Sequence, residues 1–207
     1  MSVSRLKVLV ACEESGTVRD AFLRHGHDAI SCDILPTSSP GPHYQGDVRD
    51  ILYDGWDLMI AHPPCTYLSV SGLHWNTKNP GRAKKTEDAI EFVRILLDAP
   101  IPKIALENPV SAISSRIRKP DQIIQPYEFG EDASKKTCLW LKNLPKLTPT
   151  RRIAGRLITH NGKMVERWAN QTDSGQNRLG PSPNRAKIRS VTYQGIAEAM
   201  AQQWGQT

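Results

Sequence analysis

The sequence predicts an α/β fold built on a parallel sheet covered by helices on both faces. Short unbroken apolar runs alternate along the chain with stretches of helical spacing, the pattern of strands buried between helical layers. Two expected strands, the apolar run Leu58-Met59-Ile60-Ala61 and Ile101 to Leu106 with its apolar end Ala105-Leu106, are followed within a few residues by proline and a chemically useful side chain, Cys65 in one case and Glu107 in the other. The 207 residues suffice for one domain with a substantial core and a small appendage.

The first strand is read over Leu6 to Ala11, with Val8, Leu9 and Val10 at its centre. It runs into Cys12-Glu13-Glu14-Ser15-Gly16, after which Val18, Phe22 and Leu23 recur at helical spacing until Gly26 stops the helix. Strand, short loop and helix open a nucleotide-binding unit. A second strand from Asp28 to Ile34 delivers Asp33 near its end, where an acid accepts both ribose hydroxyls of an adenosine group. The loop has no GxGxxG pattern, and Glu13 and Glu14 repel a pyrophosphate, which argues against a dinucleotide and leaves room for a cationic, phosphate-free cofactor. Residues 35–46 form a Pro/Gly/Ser-rich loop, and Asp47 follows it within reach of the same edge.

Leu58 to Ala61 has the unbroken hydrophobicity of a buried strand, and Pro63-Pro64 ends it because neither proline donates to a ladder. Cys65 then falls in the strand-exit loop, where ligands bind in open α/β sheets. By itself a cysteine is as readily a small buried hydrophobe; the matching Glu107-Asn108-Pro109 stretch favours the chemical reading. Residues 76–82 are polar and broken by Pro and Gly. A helix from about Lys84 to Asp98 carries Ala89, Ile90, Val93, Leu96 and Leu97 on one stripe, and Pro100 closes it. Further strands are expected at Ile101 to Leu106 and Thr137 to Leu141, and a final helix at Tyr193 to Trp204.

Composition bounds the function. No apolar run reaches the ~18 residues of a membrane span, so a soluble cytoplasmic protein is expected. Cys12, Cys32, Cys65 and Cys138 are too scattered for a zinc site or a disulfide scaffold, and His25 and His27 have no ligand partner at metal spacing, so they read as solvated helix-end residues and no metal is assigned. Of the net charge of +6, residues 142–190 hold eleven Lys/Arg against Glu166 and Asp173, a local charge of +9 that leaves −3 for the rest. A basic segment on a near-neutral body suits a polyanion; a solvated basic surface is the other reading.

Taken together, the strand-loop-helix at 6–26, Asp33, Pro63-Pro64-Cys65, Glu107-Asn108-Pro109, the basic stretch and the closing helix resemble the cytosine-C5 DNA methyltransferases, in particular the compact versions carried by bacteriophages. The chain departs from that pattern in three places. ACEESG replaces the Phe-x-Gly-x-Gly loop, Ser134-Lys135-Lys136 replaces Gln-Arg-Arg, and the target-recognition stretch is short. The resemblance implies a Rossmann-like S-adenosylmethionine-dependent methyltransferase sheet over residues 1–142, a small basic target-recognition insert over 143–188, and a C-terminal helix over 189–207 that packs back. It further implies S-adenosylmethionine held by Ala11, Cys12, Glu13, Ser15, Gly16, Asp33, Asp47 and Pro63.

Carbon 5 of cytosine is too electron-poor to take a methyl group unaided. A thiolate added at carbon 6 converts the ring to an enamine, and Cys65 is the nucleophile this implies. The charge that reaches ring nitrogen N3 is relieved by a protonated carboxyl, Glu107, whose pKa is expected to rise on burial; a capping or loop acid is the alternative. Such chemistry requires the base flipped out of the duplex. Lys135, Lys136, Arg151 and Arg152 are candidate phosphate clamps. Gln176, Asn177 and Arg178, with residues 170–172, are candidates to read bases, and Trp168 either stacks on a base or anchors its loop. The same chemistry on RNA, on a nucleotide or with a modified donor, and an inactive nucleic-acid-binding protein on this scaffold, remain alternatives.

Overall fold

The structure, a computed structural model, describes residues 4–182 and 185–206. The side chain of Lys187, counted in the basic segment, lies outside the described set. Strands β1 (Lys7–Ala11), β2 (Asp28–Asp33), β3 (His43–Gln45), β4 (Leu58–Ala61), β5 (Lys103–Asn108), β6 (Gln122–Ile124) and β7 (Thr137–Lys142) form one sheet in the order β3-β2-β1-β4-β5-β7-β6. The helices are α1 (Thr17–Arg24), the single turns α2 (Val70–Leu73) and α4 (Ile113–Arg116), the long α3 (Pro80–Leu97), α5 (Arg185–Ser190) and α6 (Gln194–Trp204). A separate hairpin pairs β8 (Arg156–His160) with β9 (Lys163–Arg167).

The period of two in the strands sorts the core into two layers. Leu9, Met59, Ile104 and Leu106 face Ile90, Val93 and Leu96 of α3. Val8, Val10, Leu58, Ile60 and Ala105 face Val18 and Phe22 of α1 and Ile196, Met200 and Trp204 of α6. Helices therefore cover both faces, and each of the larger side chains contributes about 1.5–3 kcal/mol by leaving water.

The sheet is mixed rather than wholly parallel. β3, β2, β1, β4 and β5 run parallel, whereas β7 is antiparallel to both β5 and β6. A parallel neighbour needs a long crossover, usually helical, and the chain between β5 and β7 holds only the single turn α4, the short β6 and a 3-10 turn at Pro126–Glu128. Other departures from the sequence reading are local. The 35–46 loop contains β3 at the sheet edge. The long helix begins at Pro80, where Asn79 accepts the Arg82 N–H at 3.0 Å and proline occupies the first turn. β5 extends through Glu107 and Asn108, so Glu107 is a strand residue and not a loop or capping acid. Only His25 of the two histidines is a helix-end residue, paired with Glu198; His27 is buried, and its Nδ1 accepts the Leu6 N–H at 3.3 Å.

The 35–46 loop is pinned by a fully buried Arg19. Its guanidinium pairs with Asp20 at 2.8 Å and donates to Ser31 Oγ, Thr37 Oγ1 and the carbonyls of Ser39 and Pro40 at 3.1–3.3 Å. Gly16 and Gly41, both at positive φ, pass so close to this guanidinium that a Cβ on either would collide with it.

Candidate active site

From β1 the chain moves outward through β2 and β3, then returns on the other side of β1 to β4 and β5. The carboxyl ends of β1 and β4 thus flank the point where strand order reverses, the usual crevice for ligands in open α/β sheets. Ala11 pairs with Ala61 and Ala61 with Leu106, which sets the ends of three strands side by side. Beyond these ends stand Cys12, the His62-Pro63-Pro64-Cys65 loop, and Glu107 with Asn108.

The loop is held from both sides. Asn108 Nδ2 donates to the carbonyl of Pro63 at 2.8 Å, and the carbonyl of Cys65 accepts the N–H groups of Leu68 and Ser69 at 3.1 and 2.9 Å. Ala112 N–H donates to the carbonyl of Leu68 at 2.8 Å, tying the following turn to the chain after β5. On this fixed backbone the Cys65 side chain is exposed. The other cysteines differ. Cys32 and Cys138 are buried and Cys12 is half-buried. Burial, reinforced by the charges of Asp33 and Asp47, pushes the Cys32 thiol up to about 12 and Cys12 higher still; burial and Glu107 raise Cys138.

Glu107 is only 7% exposed. Its Oε2 lies 2.8 Å from Nδ1 of His62, a partner supplied by the neighbouring strand exit. Burial pushes the carboxyl up, but the His62 hydrogen bond and the Lys135 charge outweigh it, so Glu107 sits below the usual glutamate range. The rise anticipated from burial alone is therefore reversed in the protein without a base. Four buried side-chain polar atoms among the described residues lack a partner, and three of them, His62 Nε2, Asn108 Oδ1 and Ser111 Oγ, belong to this junction. Buried polar atoms are normally paired, so His62 Nε2 and Asn108 Oδ1, at two neighbouring strand exits, are open to a water or a ligand.

The residues read as cofactor-binding divide into three groups. Ala11, Cys12, Asp33 and Pro63 sit at the strand ends. Cys12 turns the chain at φ 59, and Asp33 accepts the Leu35 N–H through Oδ1 at 2.9 Å beside the exposed Ile34. Glu13, Ser15 and Gly16 instead build the start of α1. The buried Glu13 carboxylate accepts the N–H groups of Val18 and Arg19 at 2.7 and 3.1 Å, with Ser15 Oγ at 3.3 Å, and Gly16 is the N-cap. The helix end that would cradle a phosphate already holds the protein's own carboxylate. Asp47 caps the turn at residues 48–50 and is paired with Arg49, which lowers its pKa.

The basic insert is largely occupied with its own structure. Arg152 pairs with Glu166 and lies over the Tyr127 ring. Arg156 pairs with Asp173 at 2.6 Å. Trp168 is an anchor, stacked on Tyr127 at 3.9 Å with its Nε1 donating to the Ile153 carbonyl at 3.0 Å. Asn170 exchanges hydrogen bonds with the Ser134 backbone at 2.9 Å, and Arg178 Nε donates to the Gln171 carbonyl at 2.8 Å. Gln176 and Asn177 are exposed on the limb that returns from the turn at 173–175, and Arg151 is exposed beside Phe129. Lys135 lies near Glu107, and Lys136 is exposed next to it.

A second cationic surface lies immediately after the Cys65 loop. No acid occurs between Asp57 and Glu87, whereas Lys78, Arg82, Lys84 and Lys85 cluster there. Arg82 braces the loop by donating to the carbonyls of Thr66 and Gly72 at 3.0 and 3.2 Å. Lys78 lies over the exposed Trp75 at 5.4 Å, and Lys85 over Tyr67 at the same distance. Among the described residues no acid pairs with Lys78, Lys84 or Lys85. No group of His, Cys, Asp and Glu side chains suited to a metal occurs among the described residues, and no helix is long and apolar enough to cross a membrane. No protein-family model matches the chain, and none of the curated proteins does.

Proposed function

We propose that the protein is a DNA cytosine-C5 methyltransferase on a Rossmann-like sheet, using S-adenosylmethionine. The observation that carries this reading is the junction of the two strand exits. An exposed thiol on a braced loop, Cys65, and an enclosed carboxyl, Glu107, follow from neighbouring strands at the switch point, and the same two strand exits carry the unpaired buried atoms His62 Nε2 and Asn108 Oδ1. In this reading the Cys65 sulfur forms a bond to carbon 6 of the base, and the displaced electron pair reaches N3, which takes a proton from Glu107. Carbon 5 is then nucleophilic. After transfer the hydrogen on carbon 5 leaves to water, the carbon–sulfur bond breaks, and the thiolate is restored.

The strand ends fit the cofactor. Asp33 supplies a carboxylate for a ribose, and the charges of Asp33 and Asp47 converge on Cys12 and Cys32, which suits a cationic sulfonium and disfavours phosphates. Ala11, Cys12, Asp33 and Pro63 are the residues that would hold it; when bound it supplies an electrophilic methyl group. For the acceptor, the unpaired lysines with Trp75 and Tyr67 beside the Cys65 loop offer the mixture of cations and aromatic faces that grips a nucleic-acid backbone. Residues 143–188 then serve as a recognition region through Gln176 and Asn177, in the loop that follows the anchored Trp168, and 189–207 as the helix that closes the catalytic domain of 1–142. Incubating the protein with labelled S-adenosylmethionine and duplex DNA, then digesting to nucleosides, should place the label in 5-methylcytosine. Label absent from DNA, or present equally with Cys65→Ser, contradicts the proposal.

A further inference from the structure

The geometry points to His62 as a positioning residue for Glu107, holding one carboxyl oxygen so that the other is presented to the pyrimidine ring; this rests on the cytosine-methylation reading. His62 Nδ1 is 2.8 Å from Glu107 Oε2, with both side chains about nine-tenths enclosed. An ionised carboxylate only accepts, so the ring hydrogen belongs on Nδ1, and the bond fixes the tautomer of the ring and the rotation of the carboxyl together. That rotation is otherwise soft, because the last torsion of a glutamate is broad and two-fold. His62 is itself anchored. Its N–H donates to the carbonyl of Ala11 at 2.9 Å, and the proline after it restricts its backbone. Its Nε2 is buried without a partner, as is Asn108 Oδ1 on the next strand, so the histidine is held through Nδ1 and its backbone alone.

The chemistry assigns His62 an indirect part. As the Cys65 sulfur bonds to carbon 6, N3 gains a proton from Oε1 of Glu107, and the O–H electron pair remains on the carboxylate. The Nδ1 hydrogen of His62 donates to Oε2 of that carboxylate and steadies it. When the carbon–sulfur bond breaks, the N3 proton returns to Glu107. His62 loses no proton in either direction. The charged and titratable groups around Glu107 are His62 from the β4 exit, Lys135 ahead of β7, and the Cys138 thiol on β7. Without His62, only Lys135 opposes the effect of burial, so Glu107 titrates higher.

Two variants of the full chain test this, His62→Leu and His62→Asn, each first checked for folding by circular dichroism. The Glu107 carboxyl, followed by carbon NMR without DNA or cofactor, should titrate higher in His62→Leu. His62→Asn, whose amide can still donate, should shift less. With labelled donor and duplex DNA, His62→Leu should lower kcat roughly 100-fold, the scale for a misplaced reacting group, with KM for DNA changed less than about twofold. Because Glu107 must carry a proton to donate, the alkaline limb of kcat/KM should move upward in the same variant, and His62→Asn should recover most of the rate. A Glu107 titration that does not move, or a His62→Leu enzyme with the wild-type rate and pH profile, overturns the inference. If the titration moves but wild-type protein labels no DNA, the methylation reading falls alone and the hold of His62 on Glu107 stands.

Discussion

Asn108, the last residue of β5, donates to the carbonyl of Pro63 at 2.8 Å and so fixes the loop that carries Cys65 to the strand that carries Glu107. Pro63 follows a strand exit and has no N–H of its own, so this carbonyl is its means of attachment to the neighbouring strand. Asn108→Leu should cost about 1–3 kcal/mol, the penalty for leaving a buried acceptor unpaired. Urea denaturation measures it, and an unchanged midpoint would mean that the tie is dispensable.

The four thiols should separate cleanly in reactivity. Cys65 is exposed, whereas burial holds Cys12, Cys32 and Cys138 in the protonated form. The thiolate is the reactive species, so iodoacetamide at neutral pH should modify Cys65 alone in the folded protein, and Cys65→Ser should block the reaction. Peptide mapping that finds Cys12 or Cys32 alkylated at a similar rate contradicts the burial pattern.

Arg19→Met should be destabilising. The change removes a donor from Asp20 and from the carbonyls of Ser39 and Pro40; Asp20 keeps Ser39 Oγ and the Ser39 carbonyl keeps Thr37 Oγ1, so the cost is about 1–3 kcal/mol, the scale for a buried acceptor left unpaired. Amide hydrogen exchange should show residues 37–42 opening first. Equal protection in the variant would mean that the loop holds itself.

Lys78, Lys84 and Lys85, rather than Arg151 and Arg152, should dominate contact with nucleic acid. Replacing the three lysines by Gln should weaken binding to all sequences and reduce the slope of log affinity against log salt by roughly 0.9 per lost phosphate contact. Arg152 is engaged by Glu166 and Tyr127, so neutralising Arg151 and Arg152 should change the slope less. A salt titration of the triple variant that overlays wild type removes this surface from the DNA path.

The comparison of these two surfaces shows where the sequence is legible. A count of lysines and arginines locates the basic insert, but not that Arg152 and Arg156 are spent on Glu166 and Asp173, because pairing depends on hairpin register. β4 and the exit of Cys65 could be read directly, since an unbroken apolar run stopped by two prolines has few other solutions. Glu107 was recognisable by its neighbours Asn108 and Pro109, yet its partner was not. A lone histidine ahead of two prolines carries no periodicity, and His62 meets Glu107 only because β4 and β5 are adjacent in parallel register. Arg19 was invisible for a similar reason, as its partners lie in a loop whose path it dictates. The β8–β9 hairpin did carry a signal, Asn161-Gly162, and both residues take the positive φ that a two-residue turn demands.

Covalent capture on DNA containing 5-fluorocytosine tests the roles of Cys65 and Glu107 most directly. Fluorine at carbon 5 cannot leave as a proton does, so with S-adenosylmethionine present the sulfur–carbon bond formed by Cys65 should persist. Wild-type protein should give a denaturation-resistant protein–DNA species whose mass corresponds to one adduct, mapped to the peptide containing Cys65, with Glu107→Gln forming it far more slowly. No adduct from folded wild-type protein, or one that forms undiminished with Cys65→Ser, would contradict the assignment of Cys65 as the nucleophile.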